Sequence, residues 1–357
     1  MRTAICLLCV IAAVPASAQF TIQTSNTTAD LRGIHNVGNG VAWASGTNGT
    51  VLRTEDGGYV WQSCSIPPGA EKLDFRSIQA FDANTAIVMS SGPGDQSRLY
   101  KTTDGCHTWR LLFTNPDKDG FWDAIQFDEK GYGILLGDPA GGQFAVFISD
   151  DKGENWRRQK AEGLAADGTR NGVFAASNSS LVVFSGVAHR FFVTGGSAGA
   201  LYVECNGELQ AGGKPETVEC LQSKIPVGHA TESSGGFSLA LTSSARVVVG
   251  GEYTKPNATV ESAAWSRDGA KWHPAQTPPH GYRSAVAYDS STKTWITVGP
   301  NGTDISTDDG RNWRPVHPSA AMHEPPDADR NWNALSLPYV VGPHGRIGKF
   351  DEAALKP

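Results

Sequence analysis

The sequence predicts an all-β, seven-bladed β-propeller of four-stranded antiparallel blades, and three observations carry that expectation. A tryptophan-bearing turn recurs five times, a short apolar strand ending near glycine recurs seven times, and one N-terminal strand is left over to complete the last blade. The 357-residue chain is rich in glycine (41) and tryptophan (10), and 39% of it is apolar, enough for a core. Its formal net charge of −6, without runs of Lys or Arg, argues against nucleic-acid binding, which needs clustered cations against phosphate.

The first element is a removable export signal over residues 1–18. Arg2 gives the positive start, Ala4 to Val14 the short apolar stretch, and Ala16-Ser17-Ala18 a small-residue cleavage site. The stretch is too short to span a bilayer. Residues 19–357 are then expected to form one exported domain, periplasmic or secreted, and monomeric. Cys6 and Cys9 leave with the signal, so Cys64, Cys106, Cys205 and Cys220 form an even set in an oxidising compartment. Of three possible pairings, Cys205–Cys220 is favoured because 201–205 and 217–221 read as two strands of one hairpin. Cys64–Cys106 then follows.

The repeated turn reads S/T-x-D-x-G-x-x-W. It occurs as Thr54 to Trp61, Thr102 to Trp109, Ser149 to Trp156, Ser266 to Trp272 (one residue short) and Ser306 to Trp313. Asp56, Asp104, Asp151, Asp268 and Asp308 are expected to accept backbone N–H groups within each turn. The glycine relieves a positive φ, and the tryptophan packs between sheets. Recurrence in blade after blade marks a fold element, since catalysis needs only one constellation. The motif resembles the Asp-box, or bacterial neuraminidase repeat, of sialidases and many other propellers.

The tryptophans follow one another at intervals of 48, 47, 116 and 41 residues, so the long gap holds a blade without the motif. Second strands are expected at 40–46, 86–91, 132–137, 191–195, 246–250, 295–299 and 339–342. Phe20 to Thr24 would close the ring by supplying the last blade's missing strand, which removes two open sheet edges.

The turns lie on one face, so ligand-facing residues are sought on the other. There the inner strands begin Leu31-Arg32-Gly33, Phe75-Arg76-Ser77, Phe121-Trp122-Asp123, Tyr282-Arg283-Ser284 and Asn331-Trp332-Asn333. Arg32, Arg76 and Arg283 are expected to converge on a carboxylate or other anion, with Asp123, Asp138, Glu252 and Tyr253 nearby. Trp122 and Trp332 would stack on an apolar or sugar face. The segment Gly195-Gly196-Ser197-Ala198-Gly199 matches a nucleophile elbow but lies between strands, not at a strand-to-helix turn. Neither a metal-binding nor a nicotinamide motif is present, so no catalytic residue, metal or cofactor is expected.

Over most of the mature chain the sequence is similar to the exported propellers called photosystem II stability/assembly factor-like proteins. The turn motifs, the inner-strand arginines and the loops Gly299-Pro300-Asn301-Gly302 and Gly342-Pro343-His344-Gly345 carry that likeness. It implies a non-catalytic scaffold that holds a partner protein or small anionic ligand through Arg32, Arg76 and Arg283. The competing expectation is a secreted, sialidase-like glycoside hydrolase with Asp138 and Glu252 as its carboxyl pair.

Overall fold

In the second strands the sequence is apolar without alternation, as in Ile87-Val88-Met89 and Val247-Val248-Val249, and all six side chains are fully buried. Such runs mark strands covered on both faces, here by the neighbouring sheets. A computed structural model of the protein describes residues 19–159, 163–183, 190–197, 201–206, 219–228, 231–351 and 354. The expected signal, residues 1–18, lies outside them.

Seven four-stranded antiparallel sheets are present, and each is built from consecutive strands except the last. Blade 1 comprises Leu31–Gly38, Val41–Gly46, Val51–Thr54 and Gln62–Ser63; blade 2 comprises Phe75–Ala80, Ala86–Ser90, Arg98–Thr102 and Arg110–Thr114. Blade 3 comprises Trp122–Phe127, Gly133–Ala140, Gln143–Ser149 and Arg157–Arg158; blade 4 comprises Leu181–Val183, Arg190–Thr194, Leu201–Asn206 and Glu219–Lys224. Blade 5 comprises Ser234–Leu241, Arg246–Glu252, Ala263–Ser266 and His273–Pro274; blade 6 comprises Ala285–Asp289, Thr294–Gly299, Gly302–Ser306 and Arg314–Val316. Blade 7 comprises Ala334–Ser336, Tyr339–Val341 and Ile347–Phe350, and its outer strand is Phe20–Gln23 from the N-terminal end of the described chain. That strand runs antiparallel to Ile347–Phe350 with Phe20 opposite Phe350, so the closure expected from the sequence is borne out.

The five repeated turns all join the third strand of a blade to its fourth, and they share one hydrogen-bond scheme. The Ser or Thr hydroxyl donates to the aspartate and accepts from the N–H at the glycine position, as in Ser306 Oγ to Asp308 (2.9 Å) and Gly310 N to Ser306 Oγ (3.1 Å). The aspartate accepts the N–H four residues on at Val60, Thr108, Asn155 and Asn312, and three on at Lys271 in the short turn. In the second turn Cys106 takes the glycine position at φ +67° and is disulfide-bonded to Cys64, joining blades 1 and 2. Cys205 stands opposite Cys220 in the backbone register of blade 4, but the Cys205 side chain is outside the described residues. Asp308→Ala is expected to lower stability by about 1 kcal/mol in urea unfolding, because the Asn312 N–H and the Ser306 hydroxyl lose their acceptor.

The core is a ring of clusters between adjacent blades. Between blades 1 and 2, Trp43 packs with Phe75, Ile78, Val88 and Tyr100. Between blades 6 and 7, Ile296 and Val298 pack with Trp332 and Val340.

Candidate functional site

The first strands of blades 1, 2, 3 and 5 each carry one extra residue that breaks register with the second strand: Arg32, Arg76, Asp123 and Phe237. A bulge leaves its residue unpaired in the ladder and re-aims the side chain. Four equivalent positions thus present two guanidiniums, a carboxyl and a phenyl ring where the inner strands begin, at the end of the blades away from the repeated turns.

Arg32 and Arg76 meet at one carboxylate. Asp74 Oδ2 lies 2.8 Å from Arg76 Nε and 3.6 Å from Arg32 Nε, and both arginine side chains stay about 30% exposed (29% and 30%). Two cations share one anion, so the group of Arg32, Asp74 and Arg76 carries a net positive charge. Asp74 was not singled out from the sequence. The repeated Asp-x-Arg at Asp30 to Arg32 and Asp74 to Arg76 was the signal that could have found it.

Beside Arg76 lies a cavity of about 460 Å³ whose lining includes Phe121, Asp123, Asp138, Arg170, Phe174 and Glu232. Asp123 is buried, and its Oδ2 has no hydrogen-bond partner. Burial first, and then the charge of Asp138, raise its carboxyl well above the ordinary range, against the opposing pull of Arg76. Asp138 is raised to about 6 by burial, although it accepts the Val173 N–H at 2.8 Å. The sign of the consequence is fixed by linkage. The folded state holds the Asp138 proton more tightly than the unfolded chain, so stability falls as pH rises from about 4 to 6 and the penalty persists above. A rise from 3.8 to about 6 corresponds to about 3 kcal/mol at most. Asp138→Asn, which keeps the acceptor for Val173, is expected to stabilise the protein by about 1–3 kcal/mol at pH 7.5 and by almost nothing at pH 3.5. Equal effects at the two pH values in urea unfolding would contradict this.

Next to the cavity, Phe174 stacks on Phe237 with centroids 3.8 Å apart, and Tyr253 meets both rings edge-on at 6.2 Å. Tyr282 packs edge-on against Phe237 at 4.7 Å, and its hydroxyl is pushed up by burial. Tyr253 is half exposed and tops this cluster. Phe174 was missed in the sequence because the loop before blade 4 carries no repeat signal, and Phe237 because nothing in composition marks the bulge that carries it.

Three expected ligand contacts are corrected by the backbone register. The N–H of Leu31 bonds Gly342 O, that of Arg283 bonds Gly250 O, and that of Trp332 bonds Gly299 O. Arg283 therefore occupies the slot of Leu31 and Trp332, one residue before the bulge position, and faces the interior. Trp122 precedes its bulge in the same way, and Leu31, Trp122, Arg283 and Trp332 are all at most 1% exposed. Trp122 stacks on Phe113, and Trp332 lies under the Arg346 guanidinium. A one-residue slip turns a strand's side chains to the other face.

Arg283 is saturated inside the protein. Its Nε donates to Asp304 Oδ2 at 2.8 Å, Nη1 donates to Tyr282 O and Asn301 Oδ1, and Nη2 contacts Asp304 and His280. Glu252 is pulled down to about 2 by hydroxyl donors from Ser233, Thr231 and Thr254, and it is absent from the cavity lining. The expected Asp138–Glu252 pair is therefore not brought together there. The carboxyl that accompanies Asp138 is Asp123. Among the described residues no cluster of His, Cys, Asp and Glu could hold a metal ion, and no helix is long and apolar enough to cross a membrane.

Ring and rim together define a β-propeller of four-stranded antiparallel blades with a mixed-charge cavity at one end of its inner strands. No protein-family model matches the chain, and no curated protein matches it. Among solved structures the fold is similar to that of YCF48 bound to D1 peptide, with a TM-score of 0.60 and 16% identity over 94% of this chain and 99% of that one. It is similar in the same way to YCF48 from Cyanidioschyzon merolae, with a TM-score of 0.59 and 16% identity over 94% and 100% of the two chains. At that identity the likeness is one of fold.

Proposed function

We propose that the protein is an exported, non-catalytic Asp-box propeller of the photosystem II stability/assembly factor-like type, which holds an anionic segment of a partner protein against the rim formed by Arg32 and Arg76. The observation that carries this reading is the shared Asp74: two partly exposed guanidiniums with one carboxylate between them leave donor groups and positive charge for an incoming carboxylate. The adjoining cavity and the half-exposed Tyr253 add surface for the rest of the segment. A similarly folded protein, YCF48 bound to D1 peptide, supports a peptide as the ligand class. The leader-like residues 1–18 support export.

The test is capture from the periplasm by the tagged mature chain, with chemical cross-linking and identification of the bound segment. Arg32→Gln/Arg76→Gln is expected to reduce recovery at least tenfold without changing the unfolding midpoint, and wild-type capture is expected to weaken with salt. Identical recovery by both forms would refute the reading.

A further inference from the structure

On the face of the repeated turns, the cations at the junction of blades 2 and 3 are matched by an acid. At the junction of blades 2 and 3, Lys101 lies just before the turn motif of blade 2 and Arg110 just after its tryptophan. Both pair with Glu154, which stands two residues before the tryptophan of the next blade's turn. In blade 1, Arg53 at the position of Lys101 pairs with Glu55.

At the junction of blades 5 and 6 the same three positions hold Trp265, His273 and Arg311. Where blades 2 and 3 place Glu154, this junction has a guanidinium. Trp265 lies between the His273 ring, stacked at 4.9 Å, and the Arg311 guanidinium, 4.5 Å from its centroid. The turn beside it is the short one, and it alone among the five carries two cations, Arg267 and Lys271. These residues, with Asp268 and Gln276, line a cavity of about 480 Å³.

Two donors there are covered and have no acceptor, Trp265 Nε1 and Arg311 Nε. The nearby acids are already occupied. Asp268 accepts from the Ser266 hydroxyl and from the N–H groups of Ala270 and Lys271. Asp308, whose carboxyl is lowered in part by Arg311, accepts from the Ser306 hydroxyl and from both nitrogens of Asn312. Three cations therefore line a pocket with one internally bonded carboxylate, on a chain whose net charge is −6. Gln276 N–H to Arg311 O at 2.7 Å and Thr277 Oγ1 to Asn312 Oδ1 at 2.9 Å tie the two blades together at this point.

We infer that the junction of blades 5 and 6 is a binding site for a doubly charged oxyanion, a phosphate monoester group. The group supplies from outside the negative charge that Glu154 supplies at the junction of blades 2 and 3. A tetrahedral dianion matches three cations and an indole donor better than a planar, singly charged carboxylate does. The volume beyond the headgroup leaves room for a sugar-sized body. The site is on the opposite face from Arg32 and Arg76 and stands or falls independently of the proposed partner rim.

The experiment is a titration of the mature chain, labelled with ¹⁵N-tryptophan, with inorganic phosphate and ribose 5-phosphate at low salt. Parallel arms use acetate and vesicles containing phosphatidic acid, which separate a free ester from a lipid headgroup. One indole N–H resonance, the one absent in Trp265→Phe, is expected to shift saturably with phosphate and ribose 5-phosphate and not with acetate. The affinity is expected to fall at least tenfold in Arg267→Gln/Lys271→Gln, whose substitutions are on an exposed turn, and to be unchanged in Arg76→Ala. Vesicle binding that depends on Arg267 and Lys271, with no response to the soluble esters, would assign the phosphate to a lipid. The inference is overturned if no arm containing phosphate perturbs an indole up to about 10 mM, a concentration at which a site of millimolar Kd is filled, or if the shift persists in the double variant.

Discussion

Arg283→Ala is expected to lower the unfolding free energy by about 3–5 kcal/mol, because it strands a carboxylate rather than merely removing a bond. Asp304 is 1% exposed and Arg283 wholly buried. Burial by itself would raise the Asp304 carboxyl, but the hydrogen bond from His280 and the charge of Arg283 outweigh it and hold the group below its ordinary value. With the folded value depressed, this stabilisation is present above about pH 4 and is lost as pH falls through the folded value. The variant removes one of the two opposing influences, so its deficit should narrow in acid, where Asp304 takes up a proton. Replacing both partners by apolar residues, Arg283→Leu with Asp304→Leu, should recover much of the loss, since Leu31 already fills the slot equivalent to that of Arg283. Urea unfolding at pH 7.5 and pH 4 reads all three results. A deficit under about 1 kcal/mol for Arg283→Ala at pH 7.5 would contradict the burial of this pair.

Removing the closing strand is expected to have a comparable effect and a different symptom. Phe20 is buried against Phe350, with ring centroids 5.1 Å apart, and belongs to the cluster that joins blades 6 and 7. Phe20→Ala should cost about 3–4 kcal/mol through the lost ring contacts and the cavity left behind. Deleting residues 19–23 goes further, because Ile347–Phe350 then becomes an unpaired edge that ends in an exposed Phe350. That form should associate with increasing concentration in sedimentation velocity, whereas the full ring should not. A truncated chain that stays monodisperse and loses less than about 1 kcal/mol would show that the ring does not depend on its clasp.

Much of this architecture was legible in the residues. Second strands such as Val247-Val248-Val249 announce themselves by unbroken apolar character, since each is covered on both faces. The leftover Phe20–Gln23 had only one incomplete sheet to join. The Cys64–Cys106 bridge, expected as the remainder once Cys205 was paired with Cys220, is present. The rim was harder to read. Arg32 and Arg76 stand at the bulge and meet at Asp74, whereas Arg283, Trp122 and Trp332 stand one residue away from the bulge position and turn inward. Asp123 does occupy the bulge, which places it on the same cavity as Arg76.

By itself the sequence determined the class of fold, the turn that repeats and the way the ring is clasped, because these depend on local periodicity and on chemistry within a few residues. The tertiary structure decided which side chains share the rim. A strand's register, and hence the face on which a side chain emerges, is set by where its neighbour's hydrogen bonds fall. One extra residue at a bulge exchanges inside for outside without leaving a mark in composition.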